Sequence, residues 1–126
     1  MDIGGRRALL ERAYELFNAR EVEALLAMMT DDVEWPDVAN GLVLRDKRAI
    51  RSYWEGQFAV ANPQVRPTDF LPVEDDLVAV IDQRLLDLGG QPIAPPAVVF
   101  HRYSFEDQLV RRMVYFSDRR EAVEPA

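Results

Sequence analysis

Apolar positions recur at helical spacing in the first half of the chain and alternate with polar ones in the second. Leu9, Leu10, Ala13, Leu16 and Phe17 fall three or four residues apart and predict an amphipathic helix from about Gly5 to Ala19. The polar run Asn18-Ala19-Arg20-Glu21 interrupts it. Val22, Leu25, Leu26 and Met29 then predict a short second helix, closed by Thr30-Asp31-Asp32. Val33 to Asp37 reads as extended, because Pro36 keeps Trp35 out of the helical region, and Val38-Ala39-Asn40-Gly41 as a turn. Asp46 is a good N-cap for a third helix whose stripe is Ile50, Tyr53, Trp54, Gln57 and Phe58, stopped by Asn62-Pro63.

Four strands follow. Val65 to Val73 contains Pro67 and Pro72, which lack the amide a central strand needs, so it belongs at an edge or is irregular. Leu77 to Leu88, Ala97 to Phe105 and Leu109 to Ser117 come next, separated by Gly89-Gly90, a proline-rich loop (Pro92, Pro95, Pro96) and a tight turn near Glu106-Asp107-Gln108. Asp118 to Ala126 reads as a charged, frayed tail. Three helices and then a four-stranded antiparallel meander make an α+β plan with helices on one sheet face. A chain of 126 residues, 48% of them hydrophobic, fits one domain, with a core over about 7–118 and a tail over 119–126.

Alternation along the strands picks out the candidate chemistry. Residues two apart share a face, so His101 lies with Val99, Tyr103 and Phe105, while Val33, Trp35 and Asp37 put a carboxylate beside a tryptophan. A two-residue turn before Leu109 sets His101 opposite Arg112 or Val114. Either register places Arg112, Val114 and Phe116 on the histidine's face; a one-residue slip would invert it.

Composition narrows what such a face could do. The formal net charge is −7, which disfavours nucleic-acid backbones and anionic membrane surfaces as partners. There is no cysteine, one histidine and one lysine, Lys47, at a polar helix start. Disulfides, thiolate metal sites, a histidine-rich metal centre and a Schiff-base lysine are therefore not expected, and neither is a cofactor. The N-terminus lacks a signal-peptide core, so the expectation is a soluble, cytoplasmic protein.

Three segments, Leu9–Asp37 (LLERAYELFNAREVEALLAMMTDDVEWPD), Gly41–Trp54 (GLVLRDKRAIRSYW) and His101–Asp118 (HRYSFEDQLVRRMVYFSD), carry a resemblance in their motifs, order and spacing. In these the chain resembles the nuclear transport factor 2-like superfamily, and within it the SnoaL-like and ketosteroid isomerase-like proteins. The resemblance implies a cystatin-like α+β barrel, in which a cone-shaped curved antiparallel sheet wraps around three N-terminal helices and leaves a pocket at its wide end. It also implies Asp37 at the position of a carboxylate general base and His101 at that of an oxyanion donor. The pattern departs at the first helix, where the expected tyrosine aligns with Ala13 and Tyr14 comes one residue late, about 100° around the helix.

Each candidate has two readings. Asp37 is a turn or cap aspartate, or an acid/base group whose burial would tune it. His101 is a core histidine satisfied by a carbonyl or a tyrosine, or a donor or acceptor to a ligand, alone or paired with Asp37. Arg112 neutralises a carboxylate, or stabilises an anionic oxygen. Tyr14, Phe17, Trp35, Tyr53, Trp54, Phe58, Tyr103 and Phe116 are core or pocket wall; Gln83 is a ligand contact or part of an oligomer surface. The leading expectation is a cofactor-independent acid/base enzyme (isomerase, cyclase, dehydratase or hydrolase) acting on a small apolar carbonyl compound. The alternative is a non-catalytic protein of the same fold that holds a hydrophobic ligand or serves in an oligomer. Val78, Val80 and Leu86 on the outer sheet face suggest a homodimer.

Overall fold

The computed structural model describes residues 2–125; Met1 and Ala126, the ends of the expected domain and tail, lie outside the described residues. Helix α1 (Ile3–Asn18) starts where the Asp2 carboxylate accepts the Gly5 amide at 2.8 Å. It ends in a Schellman motif: the Glu21 amide donates to the Leu16 carbonyl and the Arg20 amide to that of Phe17. Arg20 takes the left-handed conformation that glycine usually fills (φ 64°). Its guanidinium offsets that cost by donating to the Phe17 and Pro63 carbonyls and lying 4.2 Å above the Phe58 ring.

Helix α2 (Val22–Leu26) is shorter than expected, because Met29 already belongs to strand β1 (Met29–Asp37). Helical spacing misassigned this methionine: the Val110 amide donates to the Met28 carbonyl at 2.9 Å and starts a parallel ladder with the last strand. After the 38–41 turn, where Gly41 adopts φ 65°, the chain returns as a short strand β2 (Leu42–Leu44) that pairs antiparallel with Trp35–Asp37. Helix α3 (Lys47–Val60) is capped by Asp46, as expected.

Strands β3 (Asn62–Val73), β4 (Asp76–Leu86), β5 (Ala97–Glu106) and β6 (Leu109–Phe116) complete a six-stranded sheet ordered β2-β1-β6-β5-β4-β3. The α+β class and the curved sheet match expectation, and the sheet stays unclosed, with β2 and β3 at its edges. The sheet differs in having six strands rather than four and one parallel pair, β1 with β6. The proline-bearing β3 sits at an edge, with a register break between Pro67 and Asp69. Asn18 fixes α1 against it: its amide donates to the Val65 carbonyl at 2.8 Å and its oxygen accepts the Val65 amide at 3.0 Å.

One bulge decides which side chains face the helices. The Asp107-Gln108 turn pairs Glu106 with Leu109 and Phe105 with Val110, but Ser104 pairs with Arg112, so Arg111 is an extra residue in β6. His101 therefore stands opposite Tyr115, and Tyr103 opposite Met113. Arg112 and Phe116 are thrown to the outer face, which corrects the expectation that they accompany His101.

The main core fills the space between helices and sheet, with Leu10, Ile50 and Trp54 packed on Val33, Leu77, Ala79 and Ile81. A second cluster covers the outer face. Val73, Val78, Val80 and Phe100 pack beneath Ala122 of a C-terminal helix, α4 (Arg119–Ala122), with Phe116 and Val123 against them. The tail is thus a docked element over residues 118–125 rather than a frayed one. Arg102, 8% exposed, locks it by donating to the Asp76 carboxylate at 2.7 Å and to the Ala122 and Glu124 carbonyls. Val78 and Val80 are consequently buried within the chain, which removes most of the patch that suggested a homodimer. Deleting residues 119–126 is expected to lower the unfolding free energy by about 2–4 kcal/mol and to promote self-association. Urea titration and light scattering measure both; an unchanged midpoint would contradict the docking.

Candidate functional site

The concave side of the sheet, α1 and α3 border an open cavity of about 390 Å³, within the range of about 300–1,000 Å³ typical of small-molecule sites. Its aromatic wall follows from helix and strand periodicity. Phe17 from α1 and Trp54 from α3 meet edge to face at 6.1 Å, and Trp35 from β1 meets Trp54 at 5.3 Å. Tyr53, Gln57 and Gln83 add polar atoms. No aspartate, glutamate, lysine or arginine lines the cavity among the described residues.

Three polar rings meet on one side. The Tyr14 hydroxyl lies 2.8 Å from His101 Nδ1 and 2.6 Å from the Tyr103 hydroxyl. Sequence places them there: Tyr14 follows Leu10 by one helical turn, and His101 and Tyr103 alternate on β5. Ala13 and Tyr14 both line the cavity, so the one-residue offset in the helix still delivers a phenol. The His101 ring is nearly parallel to Tyr14 (25°, centroids 5.9 Å apart) and 6.1 Å from Tyr115. Nε2 of His101 has no hydrogen-bond partner among the described residues.

Burial sets the charges here. Desolvation lowers the His101 pKa to about 4, so its imidazole is neutral near pH 7. Burial, and then the neighbouring Tyr103, push the Tyr14 phenol well above its ordinary value. Burial raises Tyr103 too, against a smaller opposing effect of its bond to Tyr14. All three groups are uncharged together.

Asp37 is 6% exposed at the end of β1, and its carboxylate accepts the Asn40 side-chain amide at 2.8 Å and the Asn40 backbone amide at 3.3 Å. It is thus tied into the 38–41 turn. It is absent from the cavity lining and shares no hydrogen bond with His101, so of the two alternatives for His101, alone or paired with Asp37, the direct pair does not form. Its charge nonetheless reaches the wall: after burial, Asp37 is the second cause raising the pKa of Tyr53.

Of the other residues picked out by sequence, Tyr14, Phe17, Trp35 and Tyr53 line the cavity, as do Trp54, Gln83 and Tyr103. Phe58 stands behind the wall, 5.2 Å from Phe17 and covered by Arg20. Arg112 is exposed on the opposite sheet face, and Phe116 packs beneath α4. Sequence reasoning missed Tyr115 and Met113, which the Arg111 bulge turns inward, and Met28 and Met29 beside them in the lining. The inward phase of Val110 followed by Met113 and Tyr115 was the available signal. Among the described residues, no group of three or more His, Asp or Glu side chains is placed to hold a metal, and no helix is long and apolar enough to cross a membrane.

The SnoaL-like domain family model matches residues 10–113. No curated protein matches the chain. Among solved structures, TerC co-crystallised with polyporic acid is 21% identical, with a TM-score of 0.77 over 90% of this chain and 92% of that one. A putative ketosteroid isomerase from Kribbella flavida is 18% identical, with a TM-score of 0.72 over 98% and 83%. A computationally designed 17-OHP binder is 16% identical, with a TM-score of 0.74 over 92% and 95%. At these identities the likeness is one of fold.

The depressed pKa of His101 gives a signed prediction. A folded value of about 4 lies below the unfolded value of about 6.5, so the contribution is fully present above pH 6.5 and lost as pH falls toward 4. Over that window the protein should lose about 3 kcal/mol more stability than its His101→Gln variant, read from denaturant unfolding at each pH. Parallel pH profiles for the two proteins would contradict a buried neutral imidazole.

Proposed function

Because the chain belongs to the SnoaL-like domain family, we propose that its cavity binds a small, uncharged, largely apolar molecule bearing a carbonyl or hydroxyl group and moves a proton on it without a cofactor. One observation carries this reading: a neutral imidazole lines a largely apolar cavity with one nitrogen held by Tyr14 and the other free of partners among the described residues. Such a nitrogen can accept or donate a proton according to tautomer. The lack of charged groups in the wall favours a neutral ligand, since an ion there would lose its hydration without a counter-charge.

His101 is the catalytic residue in this reading. Asp37 is a positioning residue that acts through Tyr53 and the 38–41 turn. Phe17, Trp35 and Trp54 supply apolar contact, and Tyr53, Gln57 and Gln83 supply orientation. The fold likeness to a putative ketosteroid isomerase and to a designed 17-OHP binder is compatible with a ring compound of this kind. The second reading, a carrier without turnover, is favoured by the absence of any ionised group bonded to His101 among the described residues.

The test uses 2-tetralone, a neutral bicyclic ketone, followed by NMR for exchange of its α-hydrogens in D2O. Catalysed exchange is expected in the wild type, with a loss of about 10²–10⁴-fold in His101→Ala and less than about tenfold in Asp37→Asn, as befits a residue outside the reacting shell. Quenching of Trp35 and Trp54 fluorescence reads binding separately. Undiminished exchange in His101→Ala would move the chemistry elsewhere; binding without exchange in the wild type would leave the carrier.

A further inference from the structure

We infer that His101, Tyr14 and Tyr103 form a reversible proton relay that interconverts the keto and enol forms of a neutral ligand without an ionic intermediate. The inference rests on the proton-transfer reading above and specifies its route.

The two hydrogen bonds run through one atom, the Tyr14 hydroxyl, which has one proton to give. The chain therefore has two polarities. In the first, Tyr103 donates to Tyr14, Tyr14 donates to His101 Nδ1, and the imidazole proton sits on Nε2. In the second, Nδ1–H donates to Tyr14, Tyr14 donates to Tyr103, and Nε2 carries a lone pair while the Tyr103 proton is free to leave the chain. Among the described residues, neither Nε2 nor the Tyr103 oxygen bonds any further group, and both residues line the cavity. In either polarity the cavity thus meets one donor and one acceptor, and reversing the chain exchanges their places.

Starting from the second polarity, the α-carbon proton of a bound ketone passes to Nε2 as its C–H bond breaks. The Nδ1 proton moves to the Tyr14 oxygen, the Tyr14 proton to Tyr103, and the Tyr103 proton forms the O–H bond of the enol. The C–H electron pair becomes the new carbon–carbon double bond, and the carbonyl π pair receives the proton. Protein and ligand both end uncharged, and the protein is left in the first polarity, from which the reverse reaction starts. Water entering the emptied cavity resets the chain by accepting from Nε2–H and donating to Tyr103. A neutral route suits a wall that offers no counter-ion for an enolate or an imidazolium.

Cutting the chain at its middle, Tyr14, or removing its far end, Tyr103, tests the relay. Tyr14→Phe and Tyr103→Phe are each expected to lower 2-tetralone α-exchange at least 100-fold with binding within about threefold, and the double variant to be no slower than either, as for groups acting as a unit. The single histidine supplies a second readout, because its imidazole ¹⁵N signals are unambiguous. Bound 2-naphthol, a stable enol whose hydroxyl donates to Tyr103, should put the proton on Nε2; bound 2-tetralone, whose carbonyl accepts from Tyr103, should put it on Nδ1. Exchange in Tyr14→Phe within tenfold of wild type, or one tautomer with both ligands, overturns the relay while leaving His101 as an independent base. Absence of exchange in the wild type overturns relay and proton-transfer reading together.

Discussion

Two phenols and an imidazole buried in one apolar space have to satisfy one another, and much of the structure serves that requirement. The Tyr14 hydroxyl is the shared partner, and without it a buried Nδ1 and a buried Tyr103 oxygen would each lose a bond worth about 1–3 kcal/mol. Holding it there requires α1 at a fixed height over the sheet. The Asn18 amide sets that height by pairing with Val65 as a neighbouring strand would, and the Schellman turn at Arg20 ends the helix at that point. Fold and candidate site are therefore one construction.

The same burial gives the site its chemical character. A histidine on the surface would titrate near neutrality; here desolvation leaves it neutral and a proton acceptor over most of the accessible pH range. Tyrosines pushed upward stay donors. The acidic surface of the chain does not enter the cavity, whose wall carries no charged side chain among the described residues. Asp37, the carboxylate nearest in the sequence pattern, is diverted by Asn40 into stabilising a turn.

Sequence alone was informative wherever local periodicity and tertiary packing agreed. The three helices, the edge position of β3, the α+β class and the inward face of β5 could all be read from spacing, prolines and caps. It misled where a long-range contact overrode a local rule. Met29 fits a helical stripe but pairs with Val110 on a distant strand. Arg112 and Phe116 fit a hairpin alternation that a single extra residue, Arg111, inverts. The tail looks charged and expendable, yet Ala122 and the carbonyls around it close the outer face through Arg102. A bulge and a docked terminus leave little trace in composition, because both are defined by partners far along the chain.

The central claim is that the free nitrogen of His101 faces the reacting carbon of a neutral ligand whose oxygen is held by Tyr103. A crystal structure with 2-naphthol bound tests it most directly. The expected result is the ligand oxygen about 2.6–3.2 Å from the Tyr103 oxygen, the adjacent ring carbon facing Nε2, the Tyr14 hydroxyl still on Nδ1 and the naphthalene ring against Trp35 and Trp54. A ligand oxygen bonded instead to Asp37, or a ring seated outside the cavity with Nε2 untouched, would contradict it.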